Sequence, residues 1–347
     1  MTEYTRRDFI KCTSLAAAGL GLHSLAVLGA KAAATNVAMP AARNVVFEKD
    51  AVSLATWSLN KTYAAGLWTL KDIPRICRQD FDIGGIEFVT HFFTDVREVY
   101  LTELNKAAAD YGVKHVLIMV DREGDMVCKD KKTRMQAAIN HRKWVEIAAF
   151  LGCHGIRCNA TVAHGLPEGD VTPEQDPEAL DRAVESFGAL AQYAEEFKIN
   201  ILVENHGGKL STNPQWLVAL AQKLNHPQFG LLPDFAIFNV SNEEEIYEAI
   251  RMTMPYAKGA SVKGGWSPEG QHQRYDLEKG LKIAKESGYT GYWGIESSIR
   301  RPSGYYDSLS PDDIKKDEWQ AVRWTKAAID KVVIKGAGGE KSPPAVS

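Results

Sequence analysis

Eight short runs rich in apolar and β-branched residues punctuate the chain: Val52–Leu59, Gly85–Val89, His115–Val120, Gly155–Asn159, Asn200–Glu204, Phe229–Pro233, Gly259–Lys263 and Tyr292–Glu296. The stretches between them carry apolar residues at helical spacing, over Val96–Tyr111, Thr133–Leu151, Pro177–Phe197, Pro214–Leu224, Glu243–Arg251, Leu277–Ser287 and Asp312–Val333. In the third of these, Leu180, Val184, Phe187, Leu190, Ala191 and Ala194 recur on one face. Asp176-Pro177 and Asn213-Pro214 each set a capping side chain before a proline suited to the first helical position. Gly112, Gly152 and Gly288 stand where a helix would end. Eight strands between residues 52 and 297 give a repeat of about 31 residues, the size of a βα unit. A doubly wound sheet would carry a glycine-rich phosphate loop after its first strand, and Ser58-Leu59-Asn60-Lys61 is not one. The pattern predicts an α/β chain with a single (β/α)8 TIM barrel over residues 51–334.

The first thirty-four residues break that rhythm. Thr5-Arg6-Arg7-Asp8-Phe9-Ile10-Lys11 precedes a mildly apolar run of Ala, Gly and Ser from Ser14 to Ala30, then small-x-small sites at Ala30-Lys31-Ala32 and Ala32-Ala33-Ala34. This pattern resembles a twin-arginine signal peptide over 1–34, which implies export to the periplasm. About 17 residues interrupted by His23 is short for a membrane span. Residues 35–50 read as a linker and 335–347 as a flexible tail. Net charge is −3, and about −5 once Arg6, Arg7, Lys11 and Lys31 leave together with Glu3 and Asp8. With both signs interspersed, nothing resembles the basic footprint of a nucleic-acid binder. The five cysteines, Cys12, Cys77, Cys128, Cys153 and Cys158, form no CxxC pair and no disulfide framework.

In a barrel of this kind the chemistry sits where strands end. Glu87, Glu204, Asp234 and Glu296 each end or interrupt an apolar strand, in Gly85-Ile86-Glu87-Phe88, Ile201-Leu202-Val203-Glu204, Leu231-Leu232-Pro233-Asp234 and Trp293-Gly294-Ile295-Glu296. Carboxylates crowded on one face repel or share protons unless a cation compensates them. The expected cofactor is one divalent metal ion; oxygen ligands suit Mg2+ or Mn2+, and a histidine shifts the balance toward Mn2+, Co2+ or Zn2+.

The runs Val203-Glu204-Asn205-His206-Gly207-Gly208, Leu232-Pro233-Asp234-Phe235, Ser261-Val262-Lys263 and Gly288–Glu296 carry a family resemblance. Over roughly 52–330 the chain resembles the xylose-isomerase-like TIM-barrel superfamily, and more narrowly its exported sugar phosphate isomerase/epimerase-type members. The resemblance implies one divalent metal held from strands 5 to 8, which carries over to Glu204, Asp234, Ser261 and Glu296. Ser261 departs from the family's histidine, so either water completes the site or His206, and after it His272, takes the place. Ile237 is a second departure, where relatives have a polar residue.

Lys263 lies two residues past Ser261 and shares its face, where an ammonium suits a developing enolate oxygen or acid catalysis. Arg157 and Asn159 alternate in the same way on strand 4 and suit sugar hydroxyls, with Glu87, His206 and His272 as further polar contacts. Trp57 and Trp266 offer apolar faces on which a sugar ring stacks. His91 and His164 read as loop residues. The expected reaction is proton transfer on a keto-sugar through an enediolate, with Glu204, Glu296 and Lys263 as catalytic groups. Epimerisation, isomerisation and β-elimination from a 3-keto-glycoside share that intermediate, and a non-catalytic carbohydrate-binding barrel is the contrasting reading. The expected partner is a small carbohydrate, with no nucleic acid, no stable membrane insertion after leader cleavage, and room for a homo-oligomer.

Overall fold

Runs of Val, Ile and Leu that can be buried on both faces become the strands of one parallel sheet. The computed structural model describes residues 51–161 and 171–334, so the leader, the linker, the tail and His164 lie outside the described residues. The strands are β1 Val52–Ala55, β2 Gly85–Val89, β3 Lys114–Val120, β4 Gly155–Cys158, β5 Asn200–Glu204, β6 Phe229–Leu232, β7 Ala260–Trp266 and β8 Trp293–Ile299. Their hydrogen-bonded order is β6-β5-β4-β3-β2-β1-β8-β7, with every ladder parallel. Isolated parallel bridges, Leu231 with Ala257 and Asp234 with Ser261, join β6 to β7. Every residue of β1, β2, β4, β5 and β6 is buried, as expected of a TIM-barrel-like sheet covered by helices.

Helices Glu98–Asp110, Lys131–Leu151, Ala179–Glu195, Pro214–Leu224, Glu243–Thr253, Leu277–Glu286 and Pro311–Ile329 follow the strands. Asn213 caps its helix as expected, accepting from the Trp216 N–H at 2.9 Å ahead of Pro214. The helix expected at Pro177 starts instead at Ala179, because the Asp176 carboxylate pairs with Arg182 and is not free to cap. Gly112, Gly152 and Gly288 adopt left-handed φ values of 61°, 77° and 82°, which end their helices without steric cost. No helix among the described residues is long and apolar enough to cross a membrane.

Two departures from the expected strands bear on the site. The run Val52–Leu59 stops being a strand at Ala55 and turns through a 3₁₀ helix, Thr56–Leu59. Its hydroxyls bond neighbouring strands: Thr56 Oγ1 donates to Glu87 O and accepts from the Val89 N–H, while Ser58 Oγ donates to Ile295 O and accepts from the Ser297 N–H. Conversely β7 and β8 continue in register to Trp266 and Ile299, carrying the sheet beyond Lys263 and Glu296. On the inner side Gly294 has no side chain because Glu87 fills that space; a Cβ there would lie 2.8 Å from the Glu87 Cδ.

Candidate active site

Three acids converge at the mouth of the sheet. Glu204 is the last residue of β5, Asp234 follows β6 by two residues, and Glu296 lies within β8. All three are buried, and one carboxylate oxygen from each lies within 4.8 Å of the others. Asn205 sets the spacing of Glu204 and Asp234. Its side-chain amide donates to the Asp234 carbonyl at 2.7 Å and its Oδ1 accepts from the Asp234 N–H at 2.6 Å, which ties the end of β5 to the end of β6.

Two basic side chains offset the acids. Lys263 stands directly across the β7–β8 ladder from Glu296. Its Nζ lies 3.2 Å from Asp234 Oδ2 and pairs still more closely with Glu296 Oε1. Arg157, on β4, sets its Nε 2.8 Å from Glu204 Oε2, while its Nη1 donates to Asp121 Oδ1 at 2.7 Å. Arg157 Nη1 also donates to Asn159 Oδ1 at 3.2 Å, and Asn159 Nδ2 donates to the same Asp121 oxygen at 2.9 Å, so the guanidinium is held by both neighbours.

Burial and partners then set the protonation of each acid. Burial raises Glu204 above the ordinary carboxylate range, against the pull of Arg157. Asp234 is pushed up to about 6 by burial, with Lys263 opposing. Glu296 is also buried, but Lys263 prevails and holds it below the usual value. Burial works to lower Lys263, yet Asp234, Glu296 and Glu204 together hold its proton well above the ordinary lysine range. Deeper in the sheet, Glu87 accepts from Ser53 Oγ at 2.6 Å, and burial pushes it up to about 8, so at neutral pH it keeps its proton.

The donor set suits a hard divalent cation. Among the described residues, Glu204 Oε1 and Ser261 Oγ are buried without a hydrogen-bond partner. An unpartnered buried carboxylate oxygen is costly unless a cation faces it, and an all-oxygen set fits Mg2+ or Mn2+. Ser261 bridges to Asp234 across β6 and β7, so its hydroxyl stands beside the cluster.

A cavity of about 820 Å3 opens beside the acids, and Trp57, Asp121, Arg157, Asn159, His206 and Glu296 are among the residues that line it. Trp57 is 42% exposed there. His206 is on the cavity wall, and the group of acids placed so that it could hold a metal ion, among the described residues, is Glu204, Asp234 and Glu296. The reason is local: β5 ends at Glu204, Asn205 turns to bond β6, and Gly207 takes a left-handed φ of 90°, so strand alternation does not carry Glu204's direction on to His206. Three other expected contacts are held away from the cavity. Glu87 is 2% exposed inside the sheet. Trp266 is buried, donating through Nε1 to Thr325 Oγ1 and packing on Trp324. His272 Nδ1 donates to the Tyr275 carbonyl at 2.9 Å and its Nε2 accepts from the Gly265 N–H at 3.3 Å, which pins the loop after β7.

Two further residues shape the site, one with a sequence signal and one without. Asp121 ends the run Val116-Leu117-Ile118-Met119-Val120 and has the same signature, an acid closing an apolar strand, as the acids singled out. Asn205 gives no such signal, because its role exists only once β5 and β6 are neighbours.

The family model for the xylose isomerase-like TIM barrel matches residues 79–327, and the chain belongs to that family. No curated protein matches by sequence. Among solved structures the chain is similar to an L-ribulose 3-epimerase, at TM-score 0.63 and 15% identity, over 85% of this chain and 99% of that one. It is similar to the 3-keto-D-glucoside 4-epimerase of E. coli at TM-score 0.58 and 14% identity, over 75% and 94%. A xylose isomerase-like TIM barrel protein from Mycobacterium smegmatis in complex with magnesium gives TM-score 0.55 and 17% identity, over 80% and 97%.

Proposed function

We propose that the protein is an enzyme of the sugar isomerase/epimerase type that moves a proton on a keto-sugar or sugar derivative through an enediolate. The observation that carries this reading is the buried cluster of Glu204, Asp234 and Glu296 with Lys263 among them, at the strand ends of a xylose isomerase-like barrel. The epimerases of similar fold, on L-ribulose and on 3-keto-D-glucoside, support the substrate class.

Glu204, Asp234 and Glu296 would hold one divalent ion, a donor set consistent with the magnesium of the M. smegmatis protein. Such an ion, when bound, polarises a carbonyl and acidifies the neighbouring C–H. The protein's own groups do the rest. Glu296, within β8, accepts the carbon-bound proton, and Glu204, at the end of β5, returns one. The Lys263 ammonium faces the oxygen on which charge develops. Arg157 fixes the Glu204 carboxylate, Asn159 and His206 bond sugar hydroxyls, and Trp57 stacks on the ring. The twin-arginine-like leader supports export to the periplasm, which favours free or oxidised carbohydrates over phosphorylated ones. Changing Arg6 and Arg7 to Lys should leave precursor in the cytoplasm; mature protein still accumulating outside would reject that route.

The deciding experiment is solvent-deuterium exchange. The protein, supplied in turn with Mg2+ and Mn2+, is incubated in D2O with a panel of free ketosugars and 3-keto-glycosides. Deuterium is expected at a carbon next to the carbonyl in at least one member, whatever the final product. Binding without exchange across the panel would mark a carbohydrate-binding barrel instead.

A further inference from the structure

The geometry points to Lys263 and a divalent cation as alternative occupants of one bite between Asp234 and Glu296, an inference that rests on the metal reading above. Both acids belong to the three-carboxylate cluster, and the lysine Nζ already sits between them, 3.2 Å from Asp234 Oδ2 and in closer contact with Glu296 Oε1. A divalent ion ligated by the same oxygens would stand at about 2.0–2.2 Å from each, in space the ammonium now fills. Two cations do not share such a pocket.

Strand β7 explains why the conflict exists in this chain. It contributes Ser261 beside Asp234 and Lys263 opposite Glu296, so it brings to the cluster a neutral hydroxyl and a cation, with no anionic or imidazole ligand. The third acid has its own counter-charge, because Arg157 Nε lies 2.8 Å from Glu204 Oε2. With Lys263 in the bite, every acid of the cluster is paired within the protein.

The two basic groups differ in freedom to leave. The Arg157 side chain is 5% exposed and pinned by Asp121 and Asn159. Lys263 is 26% exposed on a flexible four-carbon stem, so it is the group that withdraws. Metal binding then costs the displacement of a resident ion pair, and it also delivers an unpaired ammonium to the neighbourhood of the substrate. Occupancy of the metal site and availability of the lysine become one event.

Titration of the metal-stripped protein with Mn2+ alone, followed by calorimetry, tests this. Lys263→Met is expected to bind Mn2+ at least tenfold more tightly than wild type; equal or weaker binding overturns the inference and leaves the metal reading intact. Binding by neither protein at millimolar Mn2+ removes the metal reading, and this inference with it. A second measurement uses wild type only and so does not depend on the variant folding. Amine acetylation read by mass spectrometry should rise several-fold at Lys263 when Mn2+ saturates the protein, relative to the exposed Lys106. Unchanged or diminished labelling overturns the inference.

Discussion

Lys258, two residues before β7, and Lys263, midway along it, stand five residues apart, and their surroundings treat the same functional group in opposite ways. Lys263 is surrounded by carboxylates and holds its proton more firmly than a lysine in water. Lys258 is half-buried, but its Nζ donates to neutral oxygens, Asn200 Oδ1 at 2.7 Å and the Pro227 carbonyl, and burial pushes it down to about 8. It lines a small cavity of about 140 Å3 with His154, itself pushed down to about 4 by burial. Burial strips charge from a side chain; a buried partner of opposite sign restores it. The C-terminal ends of the strands collect charge and the N-terminal ends shed it, which is the division of labour expected between the active and the stabilising faces of such a barrel.

The largest expected effect comes from uncharging an acid at the charged end. Glu296→Gln removes both the proposed base and the closest partner of Lys263. Sugar binding should persist while deuterium exchange on a verified substrate slows by roughly 10²–10⁴-fold. Near wild-type exchange would take Glu296 out of the mechanism. Next, Asp234→Asn keeps the shape of the side chain but removes a charge. Bound divalent metal, measured by elemental analysis, should fall at least tenfold with the circular dichroism spectrum unchanged.

Two smaller effects compare the ends through pH. Folded Glu87 keeps its proton up to about pH 8, whereas the unfolded chain releases it near 4.5. The folded state therefore binds more protons across that window, and its stability declines as pH rises through it. Glu87→Gln should abolish that decline, on the order of a few kcal/mol at about 1.4 kcal/mol per pH unit. Melting temperatures at pH 5 and pH 8 provide the check: the variant's advantage should grow with pH, and a constant difference would refute the assignment. Lys258 gives the opposite sign. Between about 8 and the unfolded value of 10.5, the unfolded chain binds the extra proton, so stability rises with pH. Lys258→Met should flatten that rise, and a chemical-denaturation series from pH 8 to 10.5 would show it.

Sequence pattern located the repeating units well, because a buried parallel strand writes a local signature. β2 and β5 begin and end as expected, at Gly85–Val89 and Asn200–Glu204, since a run of apolar residues there is bounded by polar ones or glycine. The run Val52–Leu59 misleads because Thr56 and Ser58 look like strand residues until their hydroxyls find carbonyls on β2 and β8. The three acids were readable one by one as carboxylates closing apolar runs. Their neutralisation was not, since Arg157 meets Glu204 and Lys263 meets Glu296 across ladders whose register no local pattern records. Trp266 shows the same limit: an aromatic near a strand end faces the mouth or the outer layer, and only its bond to Thr325, fifty-nine residues on, decides which.

Gly294 imposes an order on how this site can change through descent. A Cβ at 294 would fall 2.7 Å from Glu87 Oε2, inside the distance real atoms keep. A lineage that acquires alanine there first must shift a buried carboxyl group away from its bond to Ser53, and it pays in folding. One that first shortens Glu87 leaves a gap that alanine at 294 can later fill. The less costly path from this barrel to a relative with a side chain at 294 therefore runs first through position 87, and the two positions should be inherited as a pair.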